Sequence, residues 1–177
     1  DLGPLEGIPY DGVVSLNGAR CVANDGRVVS LHPIPRADFE RALALSEEQD
    51  FAMGLELEEG VFVNRVTPDV KRVAHMVAHP VPEQTDLSRW CPIFADVNVA
   101  GIDKATGMEE FMRSYGFSAA EVAAFGDGGN DVAMLRAAGV GVAMGNACDE
   151  ALNAADYVTA SVDDDGIAKA LAHLGVI

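Results

Sequence analysis

The chain has 177 residues, 49% of them hydrophobic, and its 28 acidic side chains against 12 lysines and arginines give a net charge of −16. This composition supports a packed interior and excludes general disorder, and the negative charge argues against nucleic-acid binding. No apolar run reaches the length that spans a bilayer, and the three cysteines lack the CxxC spacing of a zinc site. We therefore expect a cytoplasmic protein with neither a membrane nor a nucleic-acid partner.

Hydrophobic periodicity predicts an α+β module in the first hundred residues. The predicted elements are a strand at 11–18, a hairpin over 19–31, a helix at 36–45, a strand at 60–66, a helix at 67–79 and a strand at 89–100. Thr67 and Pro68 supply the N-cap and the first position of the second helix. Trp90 and Cys91, on the last of these strands, are expected in the core.

After residue 100 the pattern changes to strands that alternate with helices. The predicted order is a helix at 107–117, a strand at 121–126, a helix at 130–139, a strand at 140–145, a helix at 148–155, a strand at 156–160 and a helix at 167–175. Alternation at this spacing is typical of a parallel, doubly wound sheet with helices on its faces.

The loop GDGGND, residues 126–131, joins a predicted strand to a predicted helix. In an open parallel sheet, ligands bind beyond the carboxyl ends of the strands, and the first turn of a helix offers N–H groups that suit phosphate. A carboxylate at Asp127 would repel phosphate unless a hard cation lay between them, and Mg²⁺ takes one or two carboxylates together with phosphate oxygens. We interpret the loop as half of a Mg²⁺–phosphate site. Helix capping alone would explain one of Asp127, Asn130 and Asp131, but not the glycines around them.

Two other phosphate-binding motifs fail on inspection. A P-loop needs Gly-Lys-Ser/Thr, which the sequence lacks. Gly139, Gly141 and Gly145 have a spacing close to that of a dinucleotide fingerprint. They lie within a predicted strand, however, whereas the fingerprint places its glycines in the turn after one. We therefore favour neither motif.

Two clusters have the residue types of metal ligands. His75 and His79 are spaced i, i+4 on a predicted helix, but neither an HExxH glutamate nor a third ligand accompanies them, so a solvated helix end is favoured. Asp163–Asp165 could bind a metal from their position after a strand. A solvated loop that caps the last helix is the favoured interpretation there.

Five short segments carry a resemblance to a known family. They are GIDKATG at 101–107, GDGGND at 126–131, GVAMGNA at 141–147, ADYVT at 155–159 and DDDG at 163–166. The combination resembles the C-terminal half of Cof-type phosphatases of the haloacid dehalogenase (HAD) superfamily, and DGVVSLNGA at 11–19 resembles the strand before that family's inserted cap. The resemblance implies an α/β fold, with a doubly wound parallel sheet over 1–18 and 98–177 and an α+β cap domain over 19–97.

The resemblance also implies roles for four residues, and a fifth is a candidate by its position. Asp127 resembles the metal-binding, catalytic acid of the family's fourth motif, and Asp131 resembles the second acid of the same metal site. Asn130 resembles the amide that binds the phosphoryl group. Lys104 resembles the third-motif lysine, a catalytic and substrate-binding residue that neutralises the phosphate and the nucleophile. Asn17 is a candidate substrate-binding residue because its turn would face the active-site cleft, although it could serve only to turn the chain.

The implied function is Mg²⁺-dependent hydrolysis of small phosphorylated metabolites, mostly sugar phosphates, through an aspartyl-phosphate intermediate. The family's DxDGT motif, which carries the nucleophile, and its Ser/Thr phosphate motif do not occur in the sequence. We therefore expect a piece of a longer enzyme that is inactive alone, in which the strands at 13–16 and 122–125 do not pair. The alternatives are a sugar phosphomutase of the same superfamily and a phospholigand-binding module without a nucleophile.

Overall fold

The computed structural model describes residues 9–57, 60–76 and 98–177. The chain divides into two compact units, a first unit of Asp1–Pro33 with Asn98–Ile177 and a second unit of Ile34–Val97. Within the described ranges, no helix combines the length and the apolar character that crossing a membrane requires.

The first unit opens with an antiparallel sheet of three strands. They are β1 (Gly12–Ser15), β2 (Arg20–Ala23) and β3 (Val28–Leu31), paired in that order. The predicted hairpin over 19–31 is therefore confirmed. β1 ends earlier than predicted because Leu16 and Asn17 adopt the left-handed conformation, with φ of 54° and 50°, in the short 3₁₀ turn that follows.

The second unit contains α1 (Arg36–Glu48), β4 (Gly54–Leu57), β5 (Gly60–Val63) and α2 (Pro68–Met76), with β4 and β5 paired antiparallel. Sequence analysis missed β4, since four residues are too few to show a period. The Asn64 side chain donates to Ser46 Oγ at 2.9 Å and accepts from Met53 N at 2.8 Å, which fastens α1 to the hairpin. Most of the predicted strand at 89–100, with Trp90 and Cys91, lies outside the described residues.

The remainder of the first unit alternates helices with strands. Its elements are α3 (Lys104–Tyr115), β6 (Ala123–Gly126), α4 (Val132–Ala137), β7 (Val140–Ala143), α5 (Asp149–Leu152), β8 (Tyr157–Val158) and α6 (Gly166–His173). The three strands form a parallel sheet in the order β6-β7-β8, which confirms the predicted alternation and strand direction. The loops after these strands consequently emerge at one edge of the sheet, where ligands bind in folds of this kind.

The core of the first unit lies between its parallel sheet and its helices. Ala124 of β6, Leu135 of α4 and Ala151 of α5 form a buried cluster, against which Met108 of α3 packs. Val142, in the central strand β7, is fully buried. Because α3 also contacts all three strands of the antiparallel sheet, this helix joins the two sheets of the first unit.

The boundary between the units follows Pro33, later than the predicted boundary after residue 18. The reason is that β2 pairs with β1 and packs on α3, where the buried Cys21 Sγ lies 3.6 Å from the carbonyl oxygen of Gly107. β1 and β6 do not pair, as expected, but β1 lies in the antiparallel sheet and not in the parallel sheet to which the resemblance assigned residues 1–18.

Candidate functional site

The loop after β6 places its two carboxylates in opposite environments. Asp127 directly follows the strand and is exposed, whereas the Asp131 side chain is only 6% exposed. Asp131 turns back beneath the loop, and its Oδ2 atom accepts hydrogen bonds from the backbone N–H groups of Asp127 and Gly128, both at 2.9 Å. One buried carboxylate therefore fixes the backbone that carries the exposed one.

Gly126 makes this turn of the chain sterically possible. A Cβ atom at this position would lie 2.5 Å from Cβ and 2.7 Å from Cγ of Asp131, closer than real side chains approach. The glycine that ends β6 thus leaves the space that the Asp131 carboxylate fills. By contrast, a Cβ at Gly129 would have no described atom within 4 Å, so steric exclusion does not require a glycine at this position.

Lys104 is brought to the same loop by α3. It is the first residue of the helix, after a capping box in which Asp103 Oδ1 accepts the N–H of Thr106 at 2.9 Å. A cation at a helix N-terminus opposes the helix dipole and needs a compensating charge. Asp131 provides that charge, because the Nζ of Lys104 lies 2.6 Å from its Oδ1.

The ionisation of Asp131 reflects this set of donors. Burial acts to raise the pKa of the Asp131 carboxyl, but hydrogen bonds from Lys104, Gly128 and Asp127, with the nearby charge of Lys104, outweigh it. The net result is a pKa below the ordinary value for aspartate. Asp131 is therefore an anion under neutral conditions.

Asn130 and Asn17 follow strands of different sheets, and their side chains lie together at the site. The Asn130 amide nitrogen donates to Asn17 Oδ1 at 2.9 Å. Asn17 presents its side chain from the left-handed conformation, with φ 50° and ψ 39°, a conformation that asparagine tolerates better than most residues. Asn17, Lys104 and Asn130 also line one cavity of about 370 Å³, together with Arg136 of α4. The structure thus brings together three predicted substrate-binding residues.

Sequence analysis missed Asn146, which follows β7. Its side-chain nitrogen donates to Asp127 Oδ2 at 3.3 Å, and its Oδ1 accepts the backbone N–H of Val162 at 3.0 Å. The signal was present in the sequence, because the GNA segment follows β7 just as GDGGND follows β6. Polar residues at the carboxyl ends of neighbouring parallel strands lie at one edge of the sheet.

The chemistry of these carboxylates fits one Mg²⁺ ligand better than two. Asp127 is exposed and accepts a single side-chain hydrogen bond from the described residues, so its other lone pairs can face a cation. Asp131 already binds Lys104 through one oxygen and two N–H groups through the other. Asp131 thus positions the loop and Lys104, and its expected part in the metal site stays a prediction. In the described part of the chain no group of three or more His, Cys, Asp or Glu side chains could hold a metal, so Asp127 would share the ion with phosphate, water or other protein ligands.

Among the described residues, the acidic cluster Asp163–Asp165 does not form a metal site with other His, Cys, Asp or Glu side chains. Asp163, Asp164 and Asp165 are exposed, and Asp164 Oδ2 accepts the Ser161 hydroxyl at 2.9 Å. Asp165 occupies the N-cap position of α6 but makes no side-chain capping bond there. The side chain of His75 and the whole of His79 lie outside the described residues.

The family model described as haloacid dehalogenase-like hydrolase matches residues 67–171, which is more than half of the chain. The chain belongs to this family. Its curated relatives include the 5-amino-6-(5-phospho-D-ribitylamino)uracil phosphatase YcsE of Bacillus subtilis, 32% identical over 129 residues that make up 73% of this chain and 48% of the relative. Putative phosphatase YkrA, also of Bacillus subtilis, is 45% identical over 92 residues, covering 52% of this chain and 36% of the relative. The chain thus spans about half the length of these curated relatives, or less.

Solved structures of HAD phosphatases share the fold. The phosphatase BT1666 of Bacteroides thetaiotaomicron superposes with a TM-score of 0.88 at 46% identity, covering 100% of this chain and 78% of that protein. The HAD subclass IIB sugar phosphatase BT4131 gives a TM-score of 0.83 at 31% identity, covering 95% of this chain and 77% of that protein. These similarities confirm the predicted HAD membership and α/β fold class.

Proposed function

We propose that the complete protein is a Mg²⁺-dependent phosphatase that hydrolyses small phosphorylated metabolites, sugar phosphates in particular, to an alcohol and inorganic phosphate. The observation that carries the proposal is the Lys104–Asp131 pair, which holds a cation beside the exposed Asp127 at the carboxyl edge of a parallel sheet. A cation, an exposed carboxylate and an amide at one sheet edge suit a phosphoryl group bound together with a hard metal ion. The phosphatases among the relatives support the same reaction.

Each residue of the site has a distinct role in the proposal. Asp127 would hold Mg²⁺, which supplies Lewis-acid polarisation of the phosphoryl oxygens when bound. The Lys104 ammonium group offsets the negative charge of the phosphate. Such an offset is required because a chain of net charge −16 repels a phosphorylated substrate. Asn130 donates one amide hydrogen to Asn17, which leaves its second hydrogen for a phosphoryl oxygen. Asp131 keeps Lys104 and the loop backbone in place.

The attacking carboxylate of the proposed aspartyl-phosphate step is not assigned to any of the 177 residues, because none of them forms a DxDGT motif. In the proposal this aspartate belongs to the complete protein. It attacks phosphorus, the P–O bond to the alcohol breaks, and an acid of the complete protein gives the leaving oxygen its proton. Water then hydrolyses the aspartyl-phosphate to inorganic phosphate and the free aspartate. The second unit, Ile34–Val97, is proposed as the cap domain that selects the substrate.

The test is phosphate release by the complete gene product from p-nitrophenyl phosphate and a panel of sugar phosphates, with Mg²⁺ and with EDTA. We expect hydrolysis that needs Mg²⁺. Asp127→Asn should lower the rate by about two orders of magnitude or more. Asp149→Asn, which removes an equal charge from an exposed position on α5, is the matched control. Hydrolysis unaffected by EDTA, or equal rates for the two variants, would contradict the proposal, and a requirement for glucose 1,6-bisphosphate would favour a mutase.

A further inference from the structure

The Asn146 side chain is held from both ends. Its amide oxygen accepts the Val162 N–H at 3.0 Å, and its amide nitrogen faces Asp127 Oδ2 at 3.3 Å. The two partners determine which end of the Asn146 carboxamide is oxygen and which is nitrogen, because a backbone N–H needs an acceptor and a carboxylate needs a donor. The loop after β8 is thereby connected, through a single carboxamide, to the carboxylate that follows β6.

Backbone contacts fix the loop from which Asn146 projects. Met144 N donates to the carbonyl of Gly126 at 3.0 Å, and Cys148 N donates to the carbonyl of Asp127 at 2.9 Å. On the other side, Gly145 N donates to the carbonyl of Ala160 at 3.0 Å. A Cβ atom at Gly145 would lie 2.8 Å from the backbone nitrogen of Ser161, so the two loops approach as closely as glycine permits. The backbone on both sides of Asn146 is therefore fixed.

We propose that Asn146 is a positioning residue that orients the Asp127 carboxylate for the metal ion, and that the backbone N–H of Val162 selects the Asn146 rotamer. This inference rests on the proposed function. An exposed amide–carboxylate hydrogen bond contributes little by itself, because water competes for both groups. The Val162 N–H changes this, since it removes the rotational freedom that the amide would otherwise lose on binding Asp127. Partners of this kind behind a metal ligand typically change metal affinity by about 10- to 100-fold.

The hydrogen bond between Val162 and Asn146 can be removed by a substitution at Val162, which is not the proposed metal ligand. Val162 is the first residue of the short 3₁₀ helix Val162–Asp164, and the residue is 62% exposed. Proline is accepted at a first helical position, where it removes the N–H. Ser161, the preceding residue, has φ −66° and ψ 166°, an extended conformation that suits a residue before proline. Val162→Pro should therefore delete one hydrogen donor without disturbing the loop.

The experiment measures Mn²⁺ binding to the complete protein by electron paramagnetic resonance, without substrate. We expect the Kd for Mn²⁺ to be about tenfold higher for Val162→Pro than for Val162→Ala, which loses the same side chain but keeps the N–H. Asn146→Ala should raise Kd similarly against the control Asn153→Ala, a change at the exposed residue that directly follows α5. Adding Val162→Pro to Asn146→Ala should raise Kd no further, because both changes remove the same connection.

Several outcomes would overturn the inference. Equal Mn²⁺ affinities for Val162→Pro and Val162→Ala, or additive effects of Val162→Pro and Asn146→Ala, would show that Asn146 does not transmit the Val162 contact to Asp127. Thermal melts of all variants reveal any that fail to fold. If Val162→Pro is one of them, the Kd of Asn146→Ala compared with that of Asn153→Ala tests the inference. Absence of Mn²⁺ binding and of Mg²⁺-dependent hydrolysis in the unmodified protein would instead overturn the proposed function and this inference together.

Discussion

The Nζ of Lys104 lies 2.6 Å from Oδ1 of Asp131, and the other oxygen of that carboxylate accepts two backbone N–H groups from the loop after β6. A single buried side chain therefore binds the first residue of α3 to the loop that carries Asp127. Because the Asp131 side chain is 6% exposed and that of Lys104 is 26% exposed, solvent screens this pair less than it would a surface pair.

We expect the Lys104–Asp131 pair to be energetically coupled. In a double-mutant cycle of Lys104→Met and Asp131→Asn, the free energy of unfolding should show a coupling of about 1 kcal/mol or more. The control cycle uses Arg41 and Asp38, an exposed pair at 3.6 Å on α1, for which we expect a coupling of about 0.3 kcal/mol. Chemical denaturation of the complete protein measures both values. Equal couplings would contradict a special role for the Lys104 pair.

The lowered pKa of Asp131 predicts a loss of stability in acid. Because the folded-state pKa lies below the unfolded value, the unfolded chain binds a proton first as the pH falls. The stabilisation is complete above the unfolded value, about pH 4, and is lost as the pH falls through the lower folded value. The free energy of unfolding of the unmodified protein should therefore drop more steeply below about pH 5 than that of Asp131→Asn. Parallel curves for the two proteins would exclude this contribution.

Two glycines of the same loop should respond differently to alanine. Gly126→Ala places a Cβ 2.5 Å from Cβ of Asp131, so the loop must shift and the free energy of unfolding should fall by about 2 kcal/mol. Gly129→Ala meets no described atom within 4 Å and should change stability by less than about 0.5 kcal/mol. Thermal and denaturant unfolding compare the two variants. Similar losses in both would show that the space beside Asp131 is not what requires Gly126.

Local sequence patterns sufficed to predict the order of elements in the C-terminal part and the loop that carries Asp127. Apolar periodicity and glycine content are properties of neighbouring residues, so the strand before Asp127 and the helix after it could be predicted directly. Lys104 and Asp131 were both expected at the site, although 27 residues separate them. Their direct contact could not be predicted, because it depends on how α3 packs beside the loop.

The features that the sequence did not predict depend on contacts between distant segments. The hydrogen bonds of Asp131 to Lys104 and to two backbone N–H groups could not be predicted, because the loop backbone sets the orientation of its oxygens. The boundary after Pro33 follows from the pairing of β2 with β1 and from the contact between Cys21 and α3. Such pairings are set by tertiary packing more than by intrinsic strand preference.

Asn17 has two separable roles, as a turn residue and as a hydrogen-bond partner of Asn130. Asn17→Gly removes the carboxamide but keeps a residue suited to φ 50°, so stability should stay within about 0.5 kcal/mol. The loss of the hydrogen bond to Asn130 should lower kcat/KM for p-nitrophenyl phosphate about fivefold, which corresponds to about 1 kcal/mol. Steady-state kinetics and thermal melts of the complete protein measure the two effects.

Asn17→Ala is the matched comparison, because it removes the same carboxamide and adds backbone strain. A non-glycine residue without a local polar group in the left-handed region is disfavoured by about 1 kcal/mol or more, so this variant should be less stable than Asn17→Gly. Since neither variant can accept from Asn130, the two should share the same fall in kcat/KM. If Asn17→Gly kept the full kcat/KM while Asn17→Ala lost only stability, Asn17 would serve the turn alone and Asn130 would be positioned without it.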